Sequence, residues 1–282
     1  RSSYTIEDIT AAGGAGGGTE LIDEGNGNGL VITGRTAANY GNVGLNAVDL
    51  SNSTTASTTK GATAANSIIG GGSNNTASGI YSIVAGGADN TASGEYSTVG
   101  GGNSNTVSGY NSTIGGGVTN TAVDGSTISG GYGNTSVDGG TISSYMFSTI
   151  SGGYTNTISG YGRNTISGGY TNTISDGEGA TIGGGSNNTA SGSSSTISGG
   201  YGNSATAELA TVSGGTDSNA TGTKSTVGGG GNNTASGVYS TVGGGSNHTA
   251  SGYASTVTGG NNNTDKVILQ GMVKLSLVSM PQ

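Results

Sequence analysis

The residues able to do chemistry are few and poorly arranged for it. The single histidine, His248, sits in Ser246-Asn247-His248-Thr249, where comparable segments carry Asn188 or Asn233. It reads as a solvent-facing turn variant, because nothing in the repeat fixes a carboxylate beside it to make it a general base. The acidic residues, such as Asp124, Asp138, Asp176 and Glu178, are scattered along the chain, whereas polysaccharide cleavage needs two carboxyl groups facing across a groove. Gly130-Gly131-Tyr132-Gly133-Asn134-Thr135 comes closest to the calcium-holding turn of a Gly-rich roll. It offers Asn where that turn has Asp, and a hard cation wants several anionic oxygens. With no cysteine in the chain, thiolate metal sites and thiol nucleophiles are excluded together. The sequence is therefore read as a non-enzyme, with no catalytic residue, metal or cofactor.

Surface chemistry offers more. Tyr81, Tyr96, Tyr110, Tyr161, Tyr239 and Tyr253 each fall within two residues after a Ser-Gly pair, and Tyr132, Tyr154, Tyr170 and Tyr201 each follow Gly-Gly. Recurrence at two phases gathers them into rough lines, the first varying by a residue in register. Exposed tyrosine presents a flat apolar face and a hydroxyl, suited to glycans or protein surfaces; stacking between neighbouring coils is the alternative use. Outward threonines at Thr98, Thr113, Thr127, Thr226 and Thr241 form another row, fit for an ice lattice or simply for β-propensity. Sequons at Asn52, Asn74, Asn111, Asn187, Asn232, Asn247 and Asn262 allow glycosylation. A chain built from Asn, Ser and Thr also produces them by repetition.

Positioning these side chains falls to a repeat of about fifteen residues. Its apolar anchors are Ile69, Val84, Val99, Ile114, Ile128, Ile142, Ile150, Ile166, Ile182, Ile197, Val212, Val227, Val242 and Val257. Midway between anchors lies a second half-unit such as Asn105-Thr106-Val107-Ser108-Gly109. Alternation places Ser97 and Val99 on one face and Thr98 on the other, the period of a strand. Two strands of about five residues and two Gly/Asn turns per period predict an all-β parallel roll, a β-solenoid of about thirteen coils. The rhythm breaks between Ile142 and Ile150, where Tyr145, Met146 and the only phenylalanine, Phe147, occur. Either a coil is lost there or a half-unit is looped out, and Phe147 marks a packing defect or a knob that touches a partner.

Composition sets the remaining bounds. The chain has 282 residues, 62 of them Gly, and a formal net charge of −8. Between Gly61 and Asp265 the only cations are Arg163 and Lys224, which argues against a nucleic-acid surface. No stretch approaches the roughly 20 apolar residues of a membrane helix, so no membrane insertion is expected. Beginning at Arg1, the chain reads as a processed product or a piece of something longer. Composition divides it into a leader over residues 1–60, a repeat rod over 61–264 and a strand-like tail over 265–282. In that tail Val267, Ile268, Leu269, Val273, Leu275 and Leu277 are candidates for assembly or capping.

The Ser-Thr-Val-Gly-Gly-Gly and Asn-Thr-Ala-Ser-Gly half-units over about Asn66 to Thr264 resemble the head repeats of trimeric autotransporter adhesins of the YadA type, repeats also found in phage and viral fibres. The resemblance implies a left-handed parallel β-roll, three of which associate around a threefold axis. Burial arithmetic points the same way. One coil buries about two Val, Ile or Ala side chains, ~1.5 to 3 kcal/mol for each large one, against ~1 to 2 kcal/mol per residue of backbone ordering. Several chains are therefore expected to pack their apolar faces together. The function expected is a non-enzymatic attachment fibre on a cell or virion surface, holding a host glycan or matrix protein by many weak contacts. The alternative is a structural spacer or the subunit of an extracellular filament.

Overall fold

Alternating small apolar residues with glycine at fixed intervals leaves the chain one way to bury its side chains: wrap each period into a flat coil and lay the next coil on top. The computed structural model describes residues 19–23, 28–32, 39–53, 57–123, 125–137 and 147–265, and among them every regular element is a strand. Numbered in chain order, the strands run from β1 (Thr19–Asp23) to β30 (Thr264–Asp265). Coils stack in parallel to give a sixteen-stranded and a fourteen-stranded sheet. Fourteen coils at the ~4.8 Å strand spacing make a rod roughly 65 Å long.

The coil from Ser97 to Asn111 shows the pattern. Its strands are β9 (Thr98–Val99) and β10 (Thr106–Val107), each pairing in register with the equivalent strand above and below. Between them Asn103 forms a single parallel bridge on each side, so a third line of pairing runs along the rod. The strands are two residues long, shorter than the five expected. Left-handed backbone at Tyr96, Gly102, Ser104 and Asn111 turns the chain before extended geometry can continue. At Gly102 the turn admits only glycine: φ is +89° and a Cβ would stand 2.0 Å from the Gly117 carbonyl oxygen.

The expected anchor row is present, with Ile69, Val84, Val99, Ile114, Ile128 and their successors buried from one end to the other. Opposite them the second sheet contributes Ala77, Ala92, Val107, Ala122, Ile158 and Ile174. The two rows meet inside one chain. Threonine faces outward from nearly every strand of both sheets. A further buried row, Ser67, Ser82, Ser97 and Ser112 onward, takes Ala180 and Ala210 at two coils and Asn164 at another, where the Asn164 amide donates to the Gly160 and Tyr161 carbonyls.

The break in rhythm is an insertion. Ile128 pairs directly with Ile150, and Ser136 with Ile158, so both sheets continue past it without losing a strand. The looped-out half-unit is thus the alternative the structure supports; Ile142, Tyr145 and Met146 lie outside the described residues. At the other end, the stacking extends ahead of Gly61, through β3 (Val48–Asp49) to β2 (Asn28–Ile32), which closes antiparallel on β1. Buried Asp49 accepts from the Ser51 hydroxyl and from the backbone N–H groups of Ser51 and Ala62. The Tyr40 hydroxyl donates to the Ser51 carbonyl and accepts from Ser53 N–H. These bonds tie the segment before the rod to its first coils.

Candidate functional site

Two kinds of repeated side chain are organised by the stacking: one inside the coil, one outside. Inside, asparagine recurs at Asn75, Asn90, Asn105, Asn120, Asn134, Asn156, Asn172, Asn188 and Asn203, then Asn233, and all of these are buried. The Asn105 amide donates from Nδ2 to the carbonyls of Gly101 and Gly117, both at 2.9 Å. Its Oδ1 accepts from the backbone N–H and the Nδ2 of Asn120 on the next coil, both at 3.0 Å. From Asn75 to Asn188 each amide satisfies its own Gly turn, the next Gly turn and the next asparagine; Ser218 and His248 interrupt the asparagines of this ladder further along.

His248 belongs to this ladder and not to a solvent-facing turn. It is fully buried; its N–H donates to Asn233 Oδ1 at 3.0 Å, and its Nδ1 accepts from Asn263 N–H at 3.0 Å. The solvent-facing turn residue is its neighbour Asn247. Its Nε2 has no partner. The calcium-like segment is committed in the same way. Asn134 donates to Gly130 and Gly153 carbonyls and accepts from Asn156 N–H, so its oxygen serves the ladder. Among the described residues no three His, Cys, Asp or Glu side chains gather as a metal site would require.

Outside, the tyrosines lie in two lines, both exposed. Tyr132, Tyr154, Tyr170 and Tyr201 occupy the row of single bridges. Tyr132 stacks on Tyr154 and Tyr154 on Tyr170, with centroids 5.0 Å apart and planes within 8° and 6°. The second line follows the opposite turn. Tyr81, Tyr96 and Tyr239 adopt left-handed backbone there. Tyr110 and Tyr253 sit one residue earlier, equivalent to Glu95 and Val238, whose carbonyls bond the next coil's turn. That shift changes the contact. Tyr81 and Tyr96, in one register, stack at 5.1 Å and 2°, whereas Tyr96–Tyr110 and Tyr239–Tyr253 meet edge to face. Lys224 lies 5.2 Å from the centre of the Tyr239 ring, a cation over an aromatic face. Desolvation by its neighbours, then the Glu95 carboxylate and the flanking phenols, raises the pKa of Tyr96.

Tyr161 and Phe147 are exposed as well. Of the sequons, Asn187, Asn232, Asn247 and Asn262 line up at exposed left-handed turn positions of one corner. Val267, Ile268, Leu269, Val273, Leu275 and Leu277 lie outside the described residues. No family model matches the sequence, and no curated protein is similar to it. The asparagine ladder was the feature sequence reasoning missed. Its signal was available: the alternation that puts Ser97 with Val99 also puts Asn105 with Val107, on the inner face.

Proposed function

We propose that this chain is a stiff, non-enzymatic attachment rod, carried on the outside of a cell or virion, that holds a host glycan or matrix protein through many weak contacts. The observation behind this reading is the pair of tyrosine lines, with stacked and edge-to-face rings about half exposed. Rings held by their neighbours lose little freedom when a ligand settles on them, which favours contact at low entropic cost. Repetition along a rod adds avidity when each site is weak. Self-association into a trimer, as the resemblance implies, would multiply the lines threefold. Exposed Leu45, Ile68, Ile80 and Ile83 near the first coils give such an association an apolar surface.

The test is binding of the purified chain, displayed at high density, to cells, neutral and charged glycans and matrix proteins. Replacing Tyr81, Tyr96, Tyr132, Tyr154 and Tyr170 by serine should abolish capture while the fold survives. Capture unchanged by those substitutions, or no capture at all, overturns the reading. A spacer or filament subunit is the second reading, favoured by the uniform interior that lets coils be added without limit. Mass in solution separates the two: length-heterogeneous polymers favour the filament and a discrete trimer favours the attachment rod.

A further inference from the structure

The bridge row carries one ring per coil through Tyr132, Tyr154 and Tyr170, then serine at Ser186, then Tyr201. Ser186 is in register with both neighbours, since Tyr170 pairs with Ser186 and Ser186 with Tyr201. One ring is therefore missing from a stack. Exposure agrees: Tyr154, covered on both faces, is 43% exposed, whereas Tyr170 and Tyr201 are 52% and 53% exposed. Extending the 5.0 Å step of the intact stack by a second coil puts the Tyr170 and Tyr201 positions about 10 Å apart along the rod.

We infer that the gap over Ser186 is a subsite for one neutral six-membered sugar ring of a glycan, held between Tyr170 and Tyr201. This rests on reading the tyrosine lines as a contact surface, and names what one part of that surface takes. A puckered ring with an aromatic face on each side, at ~3.5 to 4 Å per contact, needs roughly 7 to 8 Å and so fits within the ~10 Å gap with about 2 Å to spare. A sugar ring carries C–H groups on its faces and hydroxyls around its edge, and the gap is built to match. One wall is the outer face of Tyr170, whose other face stacks on Tyr154; Tyr201 bounds the far side and Ser186 lies between them. At the rim is Asn187, which is exposed and whose Oδ1 accepts from the Thr171 hydroxyl, leaving its amide N–H groups for a ligand. Beyond Tyr201, the Asp217 carboxylate lies over Gly202, where a Cβ would stand 2.2 Å from Oδ1. It supplies an acceptor for hydroxyls. An aromatic side chain would fill the walls and leave these rim groups facing carbon. The Asp217 carboxylate and a net charge of −8 disfavour uronic or sialic acids.

The experiment is titration of the full chain with cellohexaose, chitohexaose, maltohexaose and, as the anionic probe, oligogalacturonate, followed by nuclear magnetic resonance of the tyrosine rings. A neutral oligosaccharide should bind with Kd on the order of 1 mM and shift the Tyr170 and Tyr201 signals. Ser186→Tyr, which completes the stack with a residue the row already accepts, should weaken binding by about tenfold or more. Val118→Ala, on the same row but five coils from Tyr201 and outside the tyrosine lines, should leave binding unchanged. Circular dichroism confirms that both variants keep the wild-type fold. Equal binding by Ser186→Tyr and wild type overturns the subsite, as does a preference for oligogalacturonate. If none of the oligosaccharides binds the wild-type chain, the subsite fails, and the attachment reading is then decided by the high-density capture assay alone.

Discussion

His248→Asn should stabilise the rod. In the wild-type chain Nδ1 of His248 accepts from Asn263 N–H, which places the ring proton on Nε2, where it is buried without a partner. One coil earlier the Asn233 amide uses the equivalent space to donate to Gly229 and Gly245 carbonyls at 2.7 and 3.0 Å. The substitution removes a buried unpaired donor, worth ~1 to 3 kcal/mol, and adds two hydrogen bonds at ~0.5 to 1.5 kcal/mol each. Trading imidazole for a smaller amide gives back about 1 kcal/mol in lost packing. The net gain is about 3 kcal/mol, within a range of roughly 1 to 5. Because coils contact only their neighbours, the effect should concentrate locally. Hydrogen exchange at the amides of Thr249 and Asn263 is therefore the primary readout, with the urea midpoint as the global one. The control is His248→Ala, which leaves Asn263 N–H without an acceptor and should lower stability. Faster exchange in His248→Asn, or equal stability of the two variants, would refute the view that the ladder amide is the preferred occupant.

Two further substitutions test the same interior. Asn120→Ala strips donors from the Gly116 and Gly131 carbonyls and the acceptor from Asn134 N–H; it should cost about 3 kcal/mol and open a protease-sensitive point, measured by urea denaturation and limited proteolysis. Gly102→Ala forces a Cβ to 2.0 Å from the Gly117 carbonyl at positive φ, a loss of ~3 kcal/mol or more. Gly231→Ala meets nothing within 4 Å and should stay within ~0.5 kcal/mol of wild type, the pair being compared by thermal unfolding.

The coil was legible because its period is rigid. Fifteen residues with one apolar anchor and a midway half-unit admit few other folds, and the described anchors from Ile69 to Val257 are buried as the alternation requires, the row stepping from Ile128 to Ile150 without Ile142. Strand length was not legible, since it is set by where φ turns positive. Non-glycine residues such as Tyr81, Ser104 and Thr119 do that as readily as glycine here. The interior role of asparagine was hidden by composition: in a chain rich in Asn, Ser and Thr, polar reads as outward unless register is followed residue by residue. Asn187 and Asn188 are adjacent and chemically identical, yet one is exposed and the other buried. The tyrosine lines were readable from their phase after Gly-Gly or Ser-Gly. Whether two rings stack or meet edge to face turned on a one-residue shift, as at Tyr96 and Tyr110.

The interior also explains where specificity can be written. The expected deficit of a thin coil assumed that two apolar side chains and the backbone ladder were all that held it; the asparagine amides add several hydrogen bonds per coil, one within the coil and the others reaching the next coil. Those positions are consequently restricted, Asn giving way only to Ser218, His248 or the like, and the Gly102-type turns admit no side chain. The bridge row is under no such constraint. It pairs through backbone alone and carries Asn52, Ser73, Ala88, Val118, Tyr132, Ser186, Thr216 and Gly231 without loss of register. A rod whose inside is fixed by hydrogen bonding can thus vary one outward residue per coil at little cost to stability. In this chain that freedom has been used to place rings on four coils and to leave one out between Tyr170 and Tyr201.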